Sequence, residues 1–163
     1  VIAMEKQTED AGLRVNRRGM SIRFATDSVP VMGRVSGGVK GIKLENGDSV
    51  LYAAQLPEEG EVLVMTDRGY GKRSLLFDYD LQGRNGKGLK TFDFKKNGSN
   101  GTCLAGVLHV TEPYAFTVTQ RHGAKTRLTT DSVHIEPRAG KGVMLVAVVL
   151  DDDVIGLVPE NTP

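Results

Sequence analysis

The sequence predicts an all-β fold of about three four-stranded antiparallel units set side by side in a radial array. Three observations point there. The chain repeats itself with a period near 50 residues, apolar and polar residues alternate inside each copy, and 20 of the 163 residues are glycine. That glycine content is about 12%, against an average near 7%, and implies many tight turns between short strands. Helical readings fail because no apolar stripe at 3.6-residue spacing survives the glycines and β-branched residues.

The repeat is anchored on Gly19, Gly69 and Gly123, which are 50 and 54 residues apart. Four residues after each stands an arginine (Arg23, Arg73, Arg127), and eleven later another (Arg34, Arg84, Arg138). A glycine and an aliphatic residue come next: Gly38-Val39, Gly88-Leu89, Gly142-Val143. Apolar residues then alternate, at Ile42 and Leu44, Phe92 and Phe94, Val146 and Val148. Thr-Asp-Ser-Val occurs at both 26–29 and 130–133. The second copy carries four extra residues within 95–101, where Asn97-Gly98 reads as a hairpin turn.

Taken in chain order, residues 1–4 read as the last strand of an earlier copy, because Met4, Ala54 and Leu108 each precede a turn glycine by 15 residues. Whole copies are expected at 12–54, 62–108 and 114–158. Their first strands are expected at 13–15, 62–65 and 116–118, and their second at 21–24, 72–76 and 126–129. Third strands are expected at 39–44, 89–94 and 143–148, and fourth at 50–54, 104–108 and 154–158. One such unit cannot bury both its faces, so the copies must pack on one another. Radial arrays close with about 4–8 blades, so three leave an open arc unless two chains combine.

Length, 163 residues, is that of one domain. A composition 39% hydrophobic and 25% charged is neither disordered nor membrane-spanning. The longest apolar run, 143–150, is eight residues, against roughly 20 for a transmembrane helix. The chain opens on Val1 with no basic-then-apolar leader, and reads as a soluble piece of something longer. A single cysteine, Cys103, excludes an internal disulfide and fits a reducing, cytoplasmic setting.

Net charge is +1, from 21 basic and 20 acidic residues, so the total does not mark a nucleic-acid binder. The distribution is more informative. Basic residues gather at 14–23, 34–43, 72–73, 84–96 and 121–127, and acidic ones at 58–61 and 151–153, a separation that leaves room for a basic stripe. The loop before each third strand joins cations to glycines, as in Gly33-Arg34-Val35-Ser36-Gly37-Gly38, Gln82-Gly83-Arg84-Asn85-Gly86-Lys87-Gly88 and Pro137-Arg138-Ala139-Gly140-Lys141-Gly142. Backbone N–H groups freed by glycine converge on an anion, and the side chains add charge. Those glycines alone also fit a tight corner at positive φ, but no turn requires Lys87 or Lys141. Arg23, Arg73 and Arg127 read either as one phosphate contact per unit or as internal ion pairs, since Asp27 and Asp131 lie four residues beyond the first and third.

Other constellations carry little. His109, His122 and His134 have no metal-ligand spacing. Asp151-Asp152-Asp153 reads as a solvated hairpin tip, and Cys103 as a packed residue at a strand head. Gly71-Lys72-Arg73 is not a P-loop, no Gly-x-Ser-x-Gly elbow is present, and no catalytic centre emerges.

Arg23-Phe24, Met32-Gly33-Arg34 and Gly38-Val39-Lys40-Gly41-Ile42-Lys43-Leu44 resemble the later repeats of the C-terminal domain of bacterial DNA gyrase A subunits. So do Gly69-Tyr70-Gly71-Lys72-Arg73, residues 82–88 and Val154-Ile155-Gly156-Leu157, so the resemblance covers essentially the whole chain. It implies a β-pinwheel, a propeller-like ring of four-stranded blades whose basic rim binds duplex DNA without sequence preference and bends and wraps it. The residues it implies for DNA contact are Arg23, Arg34, Lys40, Lys43, Lys72, Arg73, Arg84, Lys87, Lys90, Lys125, Arg127, Arg138 and Lys141.

The family's Gln-Arg-Arg-Gly-Gly-Lys-Gly box belongs to a first blade that is missing here, and residues 82–88 echo it with Gly83 for Arg and Asn85 for Gly. The cleavage tyrosine and ATPase domain are absent as well. The resemblance therefore implies a non-catalytic accessory without cofactor or metal. Its parent would be an ATP-dependent type II topoisomerase of the bacterial cytoplasm and nucleoid. The partners so implied are the gyrase B subunit, together with the remainder of the gyrase A subunit. The related topoisomerase IV A subunit is the competing assignment within the family. A kelch- or WD-like protein-binding propeller competes from another class, but predicts aromatic or acidic loops, whereas this chain has nine aromatics in all and cations in register.

Overall fold

A computed structural model describes residues 11–25, 49–57, 59–81 and 88–160. It contains β1 (Ala11–Asn16), β2 (Met20–Ala25), β3 (Val50–Leu56), β4 (Glu61–Thr66), β5 (Tyr70–Leu75), β6 (Leu89–Lys90), β7 (Leu104–Val110), β8 (Ala115–Gln120), β9 (Lys125–Thr129), β10 (Val143–Met144) and β11 (Val154–Pro159). Helical structure among the described residues is confined to 3-10 turns at Leu76–Asp78 and Thr130–Ser132. All ladders between named strands are antiparallel, in the orders β3-β1-β2-β6, β10-β5-β4-β7 and β11-β8-β9.

Two of the three sheets have four strands, but neither is made from one copy. The repeat predicts that the four strands of a copy form one unit. The third strand crosses instead to the preceding copy: β6 of the second copy pairs with β2 of the first (Ser21↔Leu89), and β10 of the third pairs with β5 of the second (Val143↔Gly71). These strands are also two residues long, not the six expected at 89–94 and 143–148. The physical reason lies in the residues just beyond them. Thr91 N–H donates to the Gly19 carbonyl, Leu145 and Val146 N–H both donate to the Gly69 carbonyl, and Phe92 and Val146 are buried between sheets. The alternating apolar residues thus serve a core between sheets and not the face of one sheet. The strands expected at 1–4 and 39–44 lie outside the described residues, and β9 has no outer neighbour among those described.

The turn glycines make this crossing possible. Gly19, Gly69 and Gly123 have φ of +86°, +81° and +101° and close their turns onto the carbonyls of Asn16, Thr66 and Gln120. A Cβ at Gly69 would lie 2.2 Å from the Val146 carbonyl oxygen, and one at Gly19 2.9 Å from the Phe94 ring. At Gly123 a Cβ would meet nothing within 4 Å, because no crossing strand lies over it among the described residues.

The middle sheet is buried on both faces, which explains the unbroken apolar run in β4. Val62 and Val64 face Leu13, Val15, Tyr79 and Phe92 in one core, while Leu63 and Met65 face Phe116, Val118, Val133 and Val146 in the next. β8 alternates, burying Phe116 and Val118 and leaving Thr117 and Thr119 half-buried.

Polar ties run along the same seams. Arg23 Nη1 donates to the Tyr79 carbonyl (3.3 Å), and Arg73 Nε to the Val133 carbonyl (2.6 Å), at equivalent places after the 3-10 turns. Arg73 also pairs with Glu61, and its backbone brackets the next copy through His134 O and Glu136 N–H. Lys72 is fully buried, its ammonium donating to Ser74 Oγ (2.7 Å) and the Arg138 carbonyl (2.8 Å). Burial pushes its pKa down to about 8, with Glu136 opposing the shift.

Gly69→Ala should cost well over twice the stability lost in Gly123→Ala, measured by urea unfolding. Both substitutions carry the roughly 1–2 kcal/mol of a left-handed backbone, but only the first drives a methyl group into a neighbouring strand; equal losses would contradict the crossing. Lys72 makes stability depend on pH. Its folded pKa lies below the ordinary 10.5, so the unfolded chain binds more protons between the two values and stability rises with pH across that range. Above pH 10 the buried Tyr52 and Tyr79, both pushed up to about 12, act in the opposite sense. Between pH 8 and 10 the chain should therefore gain up to about 2 kcal/mol, a gain that Lys72→Met should abolish.

Candidate nucleic-acid interface

The crossing strands β6 and β10 form the outer edges of the two four-stranded sheets, and the loops that lead into them carry the glycine-flanked cations. Inner strands β3, β7 and β11 pack toward one another at the opposite side. Of the implied contact residues, Arg34, Lys40, Lys43, Arg84 and Lys87 lie outside the described residues. The remainder divide by where their charge goes.

Arg23, Lys72 and Arg73 direct theirs into the seams. Lys72 cannot present its ammonium at the rim, having no exposed surface. The repeat holds a signal for this: Ile22, Lys72 and Thr126 share the place three residues after the turn glycine, and Ile22 is buried. Arg138 is also an internal tie, donating from Nε to the Lys90 carbonyl (2.9 Å) and from Nη1 to the Asp78 carbonyl (3.0 Å). Arg127 differs from its counterparts. With no further copy among the described residues to receive its guanidinium, it is exposed and forms an ion pair with Glu160, not with Asp131. Asp27 lies outside the described residues.

Lys90, Lys125 and Lys141 reach solvent. Lys90 Nζ and Lys141 Nζ lie 3.3 Å and 3.8 Å from the two oxygens of one carboxylate, Asp93, with side chains 54% and 59% exposed. Lys125 is exposed and unpaired among the described residues. Gly88 and Gly142 have φ of +89° and +68°, so both glycines are required by the corner itself. Exposed ammonium groups beside glycine corners give the rim mobile positive charge on a fixed backbone, the chemistry that suits a phosphate chain.

Several contributors are visible only in the structure. Arg68 reaches from the Gly69 turn to the carbonyls of Asp152 (2.7 Å) and Val148 (2.9 Å). Asp152 is buried and accepts from the His122 and Asp153 N–H groups, and Asp153 pairs with Arg121. The acidic tip is thus docked on the Gly123 turn and is not simply solvated, since the Asp152 carboxylate caps N–H groups there. Asn100, fully buried in the extra residues of the second copy, donates to the Asp93 and Lys141 carbonyls, both at 3.0 Å, and accepts from Lys95 N–H at 2.8 Å. His109 and His122 each contact a backbone carbonyl, His134 pairs with Glu136, and half-buried Cys103 sits beside Asp67.

Comparison with known proteins places this geometry. The family described as DNA gyrase C-terminal domain, beta-propeller, matches residues 15–57 and 60–100. The DNA gyrase A subunit of Staphylococcus epidermidis is 38% identical over 127 residues, 77% of this chain and 14% of the relative. The corresponding protein from Thermotoga maritima is 37% identical over 142 residues (85% and 17%), and that from Chlamydia trachomatis 32% over 150 (91% and 18%). The chain thus spans less than a fifth of these relatives' length. In solved structures, the DNA gyrase A C-terminal domain superposes with a TM-score of 0.81 at 19% identity, over 93% of this chain and 51% of that one. The C-terminal domain of DNA topoisomerase IV gives 0.84 at 18%, over 92% and 46%. Sequence match and blade geometry agree: the chain belongs to the DNA gyrase C-terminal domain family.

Proposed function

We propose that the chain binds duplex DNA along its outer rim without sequence preference and bends it, as an accessory segment of a type II topoisomerase. The sorting of its cations carries this reading. Arginines and one lysine tie the sheets together from inside, whereas Lys90 and Lys141 reach solvent at the outer strands and the glycine corners. Lys125, and Arg127 once it leaves Glu160, extend the charge to β9; Arg34, Lys40, Lys43, Arg84 and Lys87 recur beside the equivalent third strands of the sequence. A rim of this kind neutralises phosphates and releases their counterions, offsetting a bending cost of about 1–6 kcal/mol for 20–30 base pairs.

Relatives at 32–38% identity are DNA gyrase A subunits, which favours gyrase as the parent. In that setting the partners are the B subunit, together with the remainder of the A subunit. The compartment is the bacterial cytoplasm, and the bent DNA is presented to a cleavage core elsewhere in the enzyme. The TM-score of 0.84 to the topoisomerase IV domain favours a second reading, a domain that steers DNA without wrapping it for supercoiling.

Fluorescence anisotropy with two duplexes of unrelated sequence checks the binding. Both should bind alike, with log affinity falling against log salt at roughly −0.9 per phosphate neutralised. Lys90→Glu with Lys141→Glu should weaken binding about tenfold or more and flatten the slope by about two contacts' worth, at unchanged circular dichroism. A marked preference for one sequence, or unaltered binding by the variant, would overturn the rim as the contact surface.

A further inference from the structure

The four extra residues of the second copy have no counterpart in the first or third, and the repeat does not need them to fold. They form consecutive turns, with Gly98 N–H donating to Lys95 O and Gly101 N–H to Gly98 O, at φ of +75° and +121°. Asn97 Oδ1 accepts from Ser99 N–H (3.0 Å), and Asp67 closes the far side by accepting from Thr102 N–H (3.0 Å) and its hydroxyl (3.1 Å). At the centre lies the buried Asn100 carboxamide. One side chain therefore holds the backbones of Asp93, Lys95 and Lys141, which belong to two different copies. Asp93 N–H adds a direct bond to the Gly140 carbonyl (3.0 Å).

The consequence is a fixed cluster of charge. Lys95 and Lys96 are exposed and unpaired among the described residues, and they stand on a loop tied to Lys141, which shares Asp93 with Lys90. The acidic groups facing the cluster are Asp93 and Glu136. Glu136 is already occupied by His134 (2.9 Å) and by the Gly142 N–H (3.1 Å). Four lysines are left with the single carboxylate of Asp93 among them. Excess positive charge on a loop whose backbone is over-determined by hydrogen bonds binds a phosphate chain with little ordering cost, because the backbone is already in place.

We propose that residues 95–101 are a second-copy-specific phosphate clamp, in which Lys95 and Lys96 join Lys90 and Lys141 in holding the DNA backbone, and Asn100 is the residue that positions them. The proposal rests on the duplex-binding reading above and adds a site to it. The clamp makes the second copy the strongest point of the rim.

Anisotropy of the 163-residue chain with a labelled duplex, across a salt series, tests it. Lys95→Gln with Lys96→Gln, at exposed positions the fold does not use, should leave the melting temperature unchanged. It should weaken binding several-fold and flatten the salt slope by one to two units, about 0.9 per lost contact. Asn100→Ala keeps every charge, yet should also weaken binding and flatten the slope, because Lys95 and Lys141 no longer share an anchor. Steep, salt-sensitive binding by the parent chain that both variants reproduce would overturn the clamp and leave the rim standing. No duplex binding by the parent would overturn both.

Discussion

Each outer strand in this protein is anchored on the turn of the preceding copy, through a bond to a glycine carbonyl that only a glycine turn can offer at such close range. Thr91 N–H on Gly19 and Leu145 and Val146 N–H on Gly69 are the points where one copy is joined to the next. Everything else depends on this crossing. Without it β2 and β5 would expose an unpaired edge, Phe92 and Val146 would leave the cores they fill, and the loops bearing the rim cations would have no fixed position. An exposed strand edge is a liability, and the exchange covers it with a neighbour's chain.

The crossing also explains how the cations are divided. Arg23 and Arg73 recur four residues after the turn glycine because each is placed to reach a carbonyl just after the neighbour's 3-10 turn, at Tyr79 and Val133. Arg138 and Lys72 secure the corner loop from both sides. Guanidinium groups suit such work, since their planar donors satisfy carbonyls in fixed directions. Lysines are left for the exterior, where a flexible, strongly hydrated charge can follow a phosphate backbone. In the third copy the pattern breaks for want of a described neighbour: Gly123 is uncovered, β9 is exposed, and Arg127 turns to Glu160.

Most of the fold is legible in the sequence because turn glycines and period-2 alternation are local signals. First, second and fourth strands fall at or within a few residues of their expected places, and the glycine register identifies equivalent positions across copies. Strand exchange is not legible in the same way. Alternation in 89–94 states that Phe92 and Phe94 face apolar surroundings, but not which copy provides them. The rim lysines are legible as charge beside glycine, whereas the buried fate of Lys72 shows only through comparison with Ile22. Asn100 carries no sequence signal beyond the insertion that contains it, because its three partners come from residues up to 41 positions away.

Native-state hydrogen exchange measured by NMR tests the strand crossing most directly. If the crossing holds the copies together, the amides of Thr91, Leu145 and Val146 should be as protected as those in the centre of β4, and should be released only in the global unfolding reaction. Exchange of these three amides through a separate low-energy opening, while β4 and β5 stay protected, would contradict it.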